Sequence, residues 1–255
     1  MSETFKNLVP PQGQDEHELL EQNILKDGYD TSYPIIIWNN TIIDGHNRYE
    51  LCQKHGVHFT TSSKQFDNEH DVINWIIDNQ LSRRNINEDQ KAYLIGKRYQ
   101  EEKKEEGRPK FSPILGHRDL DTDDKSTDQT IAEQTKVSPK TVKRAEKFAI
   151  AVDTVAENVG INPQKMLSGE INASRRDIEN ISKYKPAFQK RVFEKVGKKE
   201  SKNIKDAVKD VKNEEFDELK TIARLKPVEN APEYELLTES MWFDVAYYAA
   251  QDLPK

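Results

Sequence analysis

The sequence is poor in cysteine and in long hydrophobic runs, and both shortages narrow the class of protein. Cys52 is the single cysteine among 255 residues, which excludes an intrachain disulfide and fits a reducing compartment. No stretch reaches the roughly 18 consecutive apolar residues of a membrane span. The first residues also lack the basic-then-apolar order of a signal peptide. We therefore expect a cytoplasmic protein that does not associate with membranes.

Hydrophobic residues are scarce as well, at 35% of the chain, whereas charged residues make up 33%. This composition still leaves enough apolar side chains for two small cores, with other segments elongated or mobile. The length allows two domains, or one domain with extensions.

The net charge of −6 argues against a nucleic-acid ligand when it is averaged over the chain, but the charges are unevenly distributed. Residues 129–205 carry 17 basic and 9 acidic side chains, whereas residues 1–79 carry 5 and 13 and residues 206–255 carry 6 and 12. A basic block between acidic ends is typical of proteins that bind DNA. A lysine-rich helical surface exposed to solvent would give the same pattern.

An extended apolar run that stops at Asp44-Gly45 predicts a strand-to-helix turn. We expect a strand from Tyr33 to Trp38, a second strand from Thr41 to Ile43, and a helix from Asn47 to His55. Glycine lets the backbone bend tightly, and the N-terminus of the helix offers unpaired N–H groups to an anion such as a phosphate.

Arg48, in the first turn of that helix, could add a planar bidentate donor to the same anion. The alternative is a purely structural turn that Asp44 caps, with Arg48 on the surface.

The rest of the first hundred residues alternates strand and helix patterns, which predicts a small α+β domain. Two polar segments, Gly45–Arg48 and Asn79–Asn85, would meet at the edge of this domain and present donors to phosphate oxygens. The remaining predicted segments are an irregular start (1–12), helices at 15–26, 68–79 and 87–106, and a strand at 57–66.

Together, these two polar segments resemble the paired motifs of the ParB/sulfiredoxin superfamily over roughly residues 8–105. The resemblance implies a nucleoside triphosphate (CTP or ATP) with Mg²⁺ as the ligand of an N-terminal domain. Gly45, Arg48 and Arg83 match the motifs, whereas other positions differ from the residues that partition proteins usually carry there. The implied phosphate-binding set is Gly45, His46, Asn47, Arg48, Asn79, Gln80, Arg83 and Arg84.

Sulfiredoxins carry a catalytic cysteine in the first motif, at the position of His46 in this sequence. Cys52 lies in the helix beyond it, so we interpret Cys52 as a small buried residue and not as a nucleophile.

The second informative segment, residues 127–145, has the spacing of a helix-turn-helix. Ala132 is small where a second helix would cross, Val137 is the apolar turn residue, and Ser138 precedes Pro139 as an N-cap. Asp128 or Thr127 would cap the first helix. The second helix would expose side chains to DNA bases and phosphates, and a generic helical hairpin is the alternative. The predicted DNA-binding residues here are Ser138, Lys140, Thr141, Lys143 and Arg144.

Residues 167–178 resemble the segment that follows the helix-turn-helix in ParB proteins, where a further helix braces the DNA-reading one. Ser174 would cap that helix, and Arg175 and Arg176 are candidate phosphate contacts. The predicted organisation is an N-terminal ParB/sulfiredoxin-like domain (1–106), a linker (107–126), a helix-turn-helix domain (127–212) and an acidic C-terminal region (213–255).

Two functions from different classes follow from these patterns. The first is a ParB-like protein that binds double-stranded DNA, as a monomer or as a homodimer, for partition or for transcription or replication control of a mobile element. The second is an enzyme of the same superfamily, either a nucleotide hydrolase, a small-molecule kinase or a nuclease. Its catalytic candidates would be Asp44 and His46, because an unperturbed histidine titrates near neutral pH.

Overall fold

The computed structural model describes residues 2–83, 85–106 and 125–225, and these ranges are mostly helical with one small sheet near the N-terminus. This architecture confirms an α+β region followed by helices. The strands are β1 (Ile35–Trp38), β2 (Thr41–Asp44) and β3 (Thr61–Ser63). The helices are α1 (Glu3–Leu8), α2 (Gln14–Asp27), α3 (His46–His55), α4 (Glu69–Leu81), α5 (Glu88–Glu106), α6 (Thr127–Thr135), α7 (Pro139–Val159), α8 (Gln164–Leu167), α9 (Arg175–Ile181), α10 (Pro186–Gly197) and α11 (Ile204–Leu225).

The two predicted strands form an antiparallel hairpin of β1 and β2, and its turn is set by two asparagines. Asn39 and Asn40 have φ values of +44° and +60°, the left-handed pair that matches the twist of a two-residue hairpin. The register then slips between Ile36 and Ile37, because Ile37 pairs with Ile42 whereas Ile36 pairs with Asp44. Such a bulge re-aims the residues next to it, and here it delivers Asp44 to the turn before α3.

The sheet is mixed, with the strand order β2-β1-β3. β3 pairs with β1 in parallel over only three residues, so the strand predicted over 57–66 is much shorter than expected. Val57 and Phe59 instead pack against the cluster of Ile24, Leu51 and Cys52. These two side chains are partly buried and belong to a connection without regular secondary structure. Cys52 is buried, as predicted.

The irregular start predicted for residues 1–12 is wrong, since residues 3–8 form α1. A helix of six residues has little stability of its own, but Phe5 and Leu8 are each only 2% exposed. The ring of Phe5 packs edge-on against Trp38 at 6.4 Å. Tertiary burial therefore holds a helix that the local sequence does not specify.

α5 and α7 form the most extensive helix contact in the described chain, and Gly96 is the point of closest approach. A Cβ atom added at Gly96 would lie 2.2 Å from the carbonyl oxygen of Ala145, which is inside any real contact distance. The helix backbones therefore touch at this position. Tyr93 strengthens the same crossing by donating to Asp153 over 2.7 Å, and Lys97 pairs with Asp153 at 2.9 Å.

By its contacts the chain divides into two compact units, residues 1–182 and 183–255. This division differs from the predicted one, because the α5–α7 crossing joins the region before the linker to the region after it. The predicted helix-turn-helix domain, 127–212, is shared between the two units. The linker residues 107–124 and the C-terminal residues 226–255 lie outside the described ranges.

The second unit contains a hairpin of α10 and α11. Its core comprises Phe188, Val192, Phe193, Ile204, Ala207 and Val211. Arg191 lies among three glutamates of α11, with nitrogen–oxygen distances of 3.3 to 3.4 Å. Part of the basic block is therefore neutralised inside this unit.

The helices within residues 2–83, 85–106 and 125–225 are too short or too polar to cross a lipid bilayer.

Substituting Gly96 by alanine is expected to destabilise the protein by about 1–3 kcal/mol or more, because its methyl group overlaps the Ala145 carbonyl. Urea unfolding followed by far-UV circular dichroism measures this change. Gly197→Ala is the matched control, since a Cβ atom at this helical glycine meets nothing within 4 Å. It should be neutral or stabilise the helix by up to about 1 kcal/mol. Equal stability of Gly96→Ala and the parent would contradict the described crossing.

Candidate functional site

The turn between β2 and α3 depends on glycine at position 45. Gly45 has a φ of +90°, a conformation that other residues rarely adopt. A Cβ atom there would also lie 3.0 Å from a guanidinium nitrogen of Arg48 and 3.3 Å from the Cα atom of Ile35. No side chain caps α3 at this N-cap position. The first N–H groups of α3 are thus left to other partners.

Asp44 joins the two polar segments that the sequence predicted would meet. One oxygen of Asp44 accepts a hydrogen bond from Arg83 at 2.9 Å, and the other lies 3.6 Å from Arg48. Arg83 and Asp44 come from segments far apart in sequence, so the fold does bring both motifs together. Asp44, Arg48 and Arg83 together carry a net charge of +1, because two guanidinium groups share one carboxylate.

Several polar side chains around this turn are buried without a partner. His46 is 4% exposed and Gln80 is fully buried, yet neither ring nitrogen of His46 and neither amide atom of Gln80 has a hydrogen-bond partner among the described residues. The backbone of Ile42 approaches the His46 ring without reaching hydrogen-bond geometry. Buried polar groups are nearly always paired in folded proteins, so this concentration of exceptions marks a candidate binding site.

Two cavities lie next to these residues, and Pro10 and Pro11 line both of them. The first has a volume of about 440 Å³ and is lined by Gln80 and Arg83 together with Asp15 and Glu16. The second has a volume of about 250 Å³ and is lined by His46, Asn47 and Gln164, among others. The oxygen of Gln164 is a further buried acceptor without a partner.

Two predicted residues of the N-terminal site remain, Asn79 and Arg84. Asn79 is half-buried, and its backbone carbonyl accepts the hydroxyl of Ser82. Arg84 lies outside the described residues. The sequence analysis missed Gln164 and the two prolines, because Gln164 reaches this turn from a distant segment and no local pattern marks it.

The residues present do not suit a magnesium-bound triphosphate, the ligand that the family resemblance implies. Asp44 already contacts two arginines, and the carboxylates of Asp15 and Glu16 line the cavity beside Arg83, where they would repel phosphate oxygens. Asn79 and Gln80 offer neutral amides where partition proteins carry an acidic ligand for magnesium. Within the described ranges, no three His, Cys, Asp or Glu side chains form a group that could hold a metal ion.

The second candidate site is the surface formed by α6, the turn Lys136–Ser138 and α7. Lys136 ends α6 in the left-handed conformation, with a φ of +56°, as the predicted turn requires. Ser138 caps α7 by accepting the backbone N–H of Thr141 at 3.1 Å. Ala132 is buried with Ile131, Val142 and Ala145, as expected for two helices that cross closely. Ser126, and not Asp128 or Thr127, caps α6, because it forms a capping box with Gln129.

α7 buries one face and exposes a stripe of cationic side chains on the other. Its exposed basic residues are Lys140, Lys143, Arg144 and Lys147. They follow the i, i+3, i+4, i+7 spacing that places side chains on one face of a helix. Among these, Lys143 pairs with Asp128 at 2.9 Å. The pKa of Asp128 is lowered first by a hydrogen bond from Ser126 and then by this contact with Lys143. The other three form no ion pair with any residue that the structure describes.

The two arginines of α9 that are predicted to contact phosphates, Arg175 and Arg176, differ in their contacts within the protein. Arg175 donates to Asp89 and to the backbone carbonyl of Glu88, both at 2.5 Å, and lies 5.5 Å from the ring centre of Phe148. These contacts tie α9 to α5 and α7. Arg176 is exposed next to it. Of the pair, only Arg176 offers a guanidinium without such contacts.

Comparison of the sequence with protein-family models and curated proteins, and of the structure with solved structures, finds no match.

Burial lowers the pKa of His46 below its ordinary value, although the charge of Asp44 opposes the shift. The unfolded chain then binds a proton that the folded chain does not, so stability should fall as the pH drops through about 6.5. In His46→Gln this loss should be smaller, with a slope of unfolding free energy against pH reduced by up to one proton. Urea unfolding from about pH 7.5 to about pH 5.5 measures it. Parallel curves for variant and parent would contradict a buried neutral imidazole.

Proposed function

We propose that this protein is a ParB-like DNA-binding protein that contacts duplex DNA with the α6–turn–α7 surface. The observation that carries the proposal is the cationic stripe of α7, where Lys140, Arg144 and Lys147 are exposed and form no ion pair with a described residue. Side chains of this kind neutralise backbone phosphates and release the counterions around them, which supplies most of the sequence-independent affinity for DNA.

The beginning of α7 adds groups that can take part in recognition of bases. Ser138 and Thr141 are exposed at its first turn, and their hydroxyl oxygens lie 2.8 Å apart. Hydroxyl groups can bond to either kind of base edge, and the N-terminus of a recognition helix is the part that enters the major groove in helix-turn-helix proteins. Lysines along the helix would then position it on phosphates.

An enzyme that uses the Asp44–Arg48 turn is the second candidate function. The observation that favours it is the buried imidazole of His46 at the N-terminus of α3, for which no described residue supplies a hydrogen-bond partner. A general base needs a free ring nitrogen within reach of its substrate. Turnover of a nucleotide or a small-molecule substrate that is lost in His46→Gln would select this function over a purely DNA-binding one.

Arg144→Ala and Lys140→Ala are expected to weaken binding to duplex DNA and to make it less dependent on salt. If each side chain contacts one phosphate, the slope of log affinity against log salt concentration should fall by about 1 per substitution. Fluorescence anisotropy of a labelled duplex, measured from about 50 to about 200 mM salt, gives both quantities.

Lys26→Ala is the control for these variants, because Lys26 is equally exposed and free of ion pairs with described residues but lies on the acidic helix α2. It should bind like the parent. An unchanged affinity and salt slope in Arg144→Ala, or equal losses in Lys26→Ala, would rule out α7 as the DNA-contacting helix.

A further inference from the structure

Most of the excess positive charge in the basic block lies outside the predicted pair of DNA-reading helices. Residues 129–182 carry 8 basic and 7 acidic side chains, whereas residues 183–205 carry 9 and 2. The second range opens the compact unit that contains α10 and α11. The sequence-independent affinity of a protein for DNA grows with the number of phosphates that its cations neutralise. The larger excess of cations for that purpose is therefore in the second unit and not on α7.

Glutamates of α11 neutralise the cations in the second half of α10. Arg191 lies among three of them, as described above, and Lys195 lies 2.6 Å from Glu214. A hydrogen bond to Glu214 raises the pKa of Lys195. These two cations are thus bound within the unit, and they are not available to a polyanion.

The lysines at the turn between α10 and α11 have no such partners. α10 ends at Gly197 and α11 begins at Ile204, so this turn forms one end of the helical hairpin. Four lysine side chains there are exposed and form no ion pair or hydrogen bond with a residue that the structure describes. These turn lysines are Lys198, Lys199, Lys202 and Lys205.

The carboxylates near the turn are held by other groups. Glu200 lies 3.4 Å from Lys195. Asp206 accepts a hydrogen bond from the side chain of Asn203 at 3.0 Å, and Asp210 accepts one from Ser201 at 2.7 Å. Residues 198–205 contain four lysines and one glutamate, which gives this stretch a net charge of +3.

The chemistry of the turn fits the phosphates of a DNA duplex better than a lipid surface. Lysine contributes a compact point charge to a phosphate and does not read base edges through a bidentate contact. Helices that bind at a membrane surface also insert apolar side chains between the lipids. Among the described side chains of residues 183–218, no large hydrophobic one is exposed.

We propose that the turn lysines form a second contact with the phosphate backbone of duplex DNA, in addition to the α7 surface. This proposal rests on the proposed DNA binding, but it does not require α7 to be the other contact. Two linked contacts with one duplex strengthen binding, because the second forms at a high effective concentration. The contribution of the turn lysines is the same for duplexes of any sequence, since every duplex has the same phosphates.

Lys199→Gln combined with Lys202→Gln removes two charges from the turn. The salt dependence of log affinity should become shallower by about 1 to 2, and affinity at about 100 mM salt should fall at least about fivefold. The loss should be equal for two labelled duplexes of unrelated sequence. Fluorescence anisotropy with the full chain measures these quantities, and an unchanged urea midpoint shows that the fold is intact.

Lys183→Gln combined with Lys185→Gln is the matched control. Both lysines are exposed in the same unit, but they lie at the other end of α10. The 12 residues of α10 span about 18 Å, which exceeds the distance of about 10 Å over which exposed charges interact at this salt concentration. This variant should bind both duplexes like the parent.

Lysine acetylation of the parent chain, read by mass spectrometry, tests the contact without any substitution. A bound duplex should protect Lys199 and Lys202 from acetylation and leave Lys26 as reactive as before. Vesicles of phosphatidylglycerol offer an anionic surface of another kind, and they should give no such protection.

The outcomes separate this proposal from the proposed function. Weaker binding of Arg144→Ala, with unchanged binding of the turn variant and no protection of the turn, would overturn the second contact and leave the α7 surface in place. Equal losses in the Lys183 and Lys185 control, or protection by vesicles and not by DNA, would also overturn it. No binding of the parent to either duplex would overturn both proposals.

Discussion

The close crossing of α5 and α7 at Gly96 determines which face of α7 is buried and which face is exposed. Because position 96 has no side chain, the carbonyl of Ala145 can approach the backbone of α5, and α7 presses a whole face against α5 and α6. Only the opposite face of α7 then remains for a partner, and that face carries the cationic stripe. The same crossing places the α+β region and the α6–α7 pair in one compact unit.

The two candidate sites differ in the state of their charges. On α7 the cations Lys140 and Arg144 have no carboxylate partner among the described residues, so they favour a polyanion. Around the β2–α3 turn the two arginines Arg48 and Arg83 share the carboxylate of Asp44, which leaves a net charge of +1. The buried polar groups without a described partner there, on His46 and Gln80, are neutral.

Sequence patterns predicted the features that are encoded locally. The N-cap of α7 at Ser138 and the turn at Gly45 each depend on neighbouring residues, and the structure confirms them. Features that depend on contacts between residues far apart in sequence could not be predicted from local patterns. α1 is held in place by the burial of its apolar side chains. Gly96 is required because the carbonyl of Ala145 approaches it closely. Gln164 lines the same cavity as His46 but comes from a segment with no motif. Whether the motifs bind nucleotide or DNA remains a prediction.

Hydrogen–deuterium exchange of the full chain, with and without a saturating DNA duplex at low salt, tests whether DNA contacts α7 and the turn before it. Exposed helix N-termini exchange readily, because their first N–H groups have no helical partner. The account predicts that DNA slows exchange in residues 136–147, at the turn and along the cationic stripe of α7, and leaves α2 unaffected. Slower exchange in other segments with none at 136–147 would contradict it.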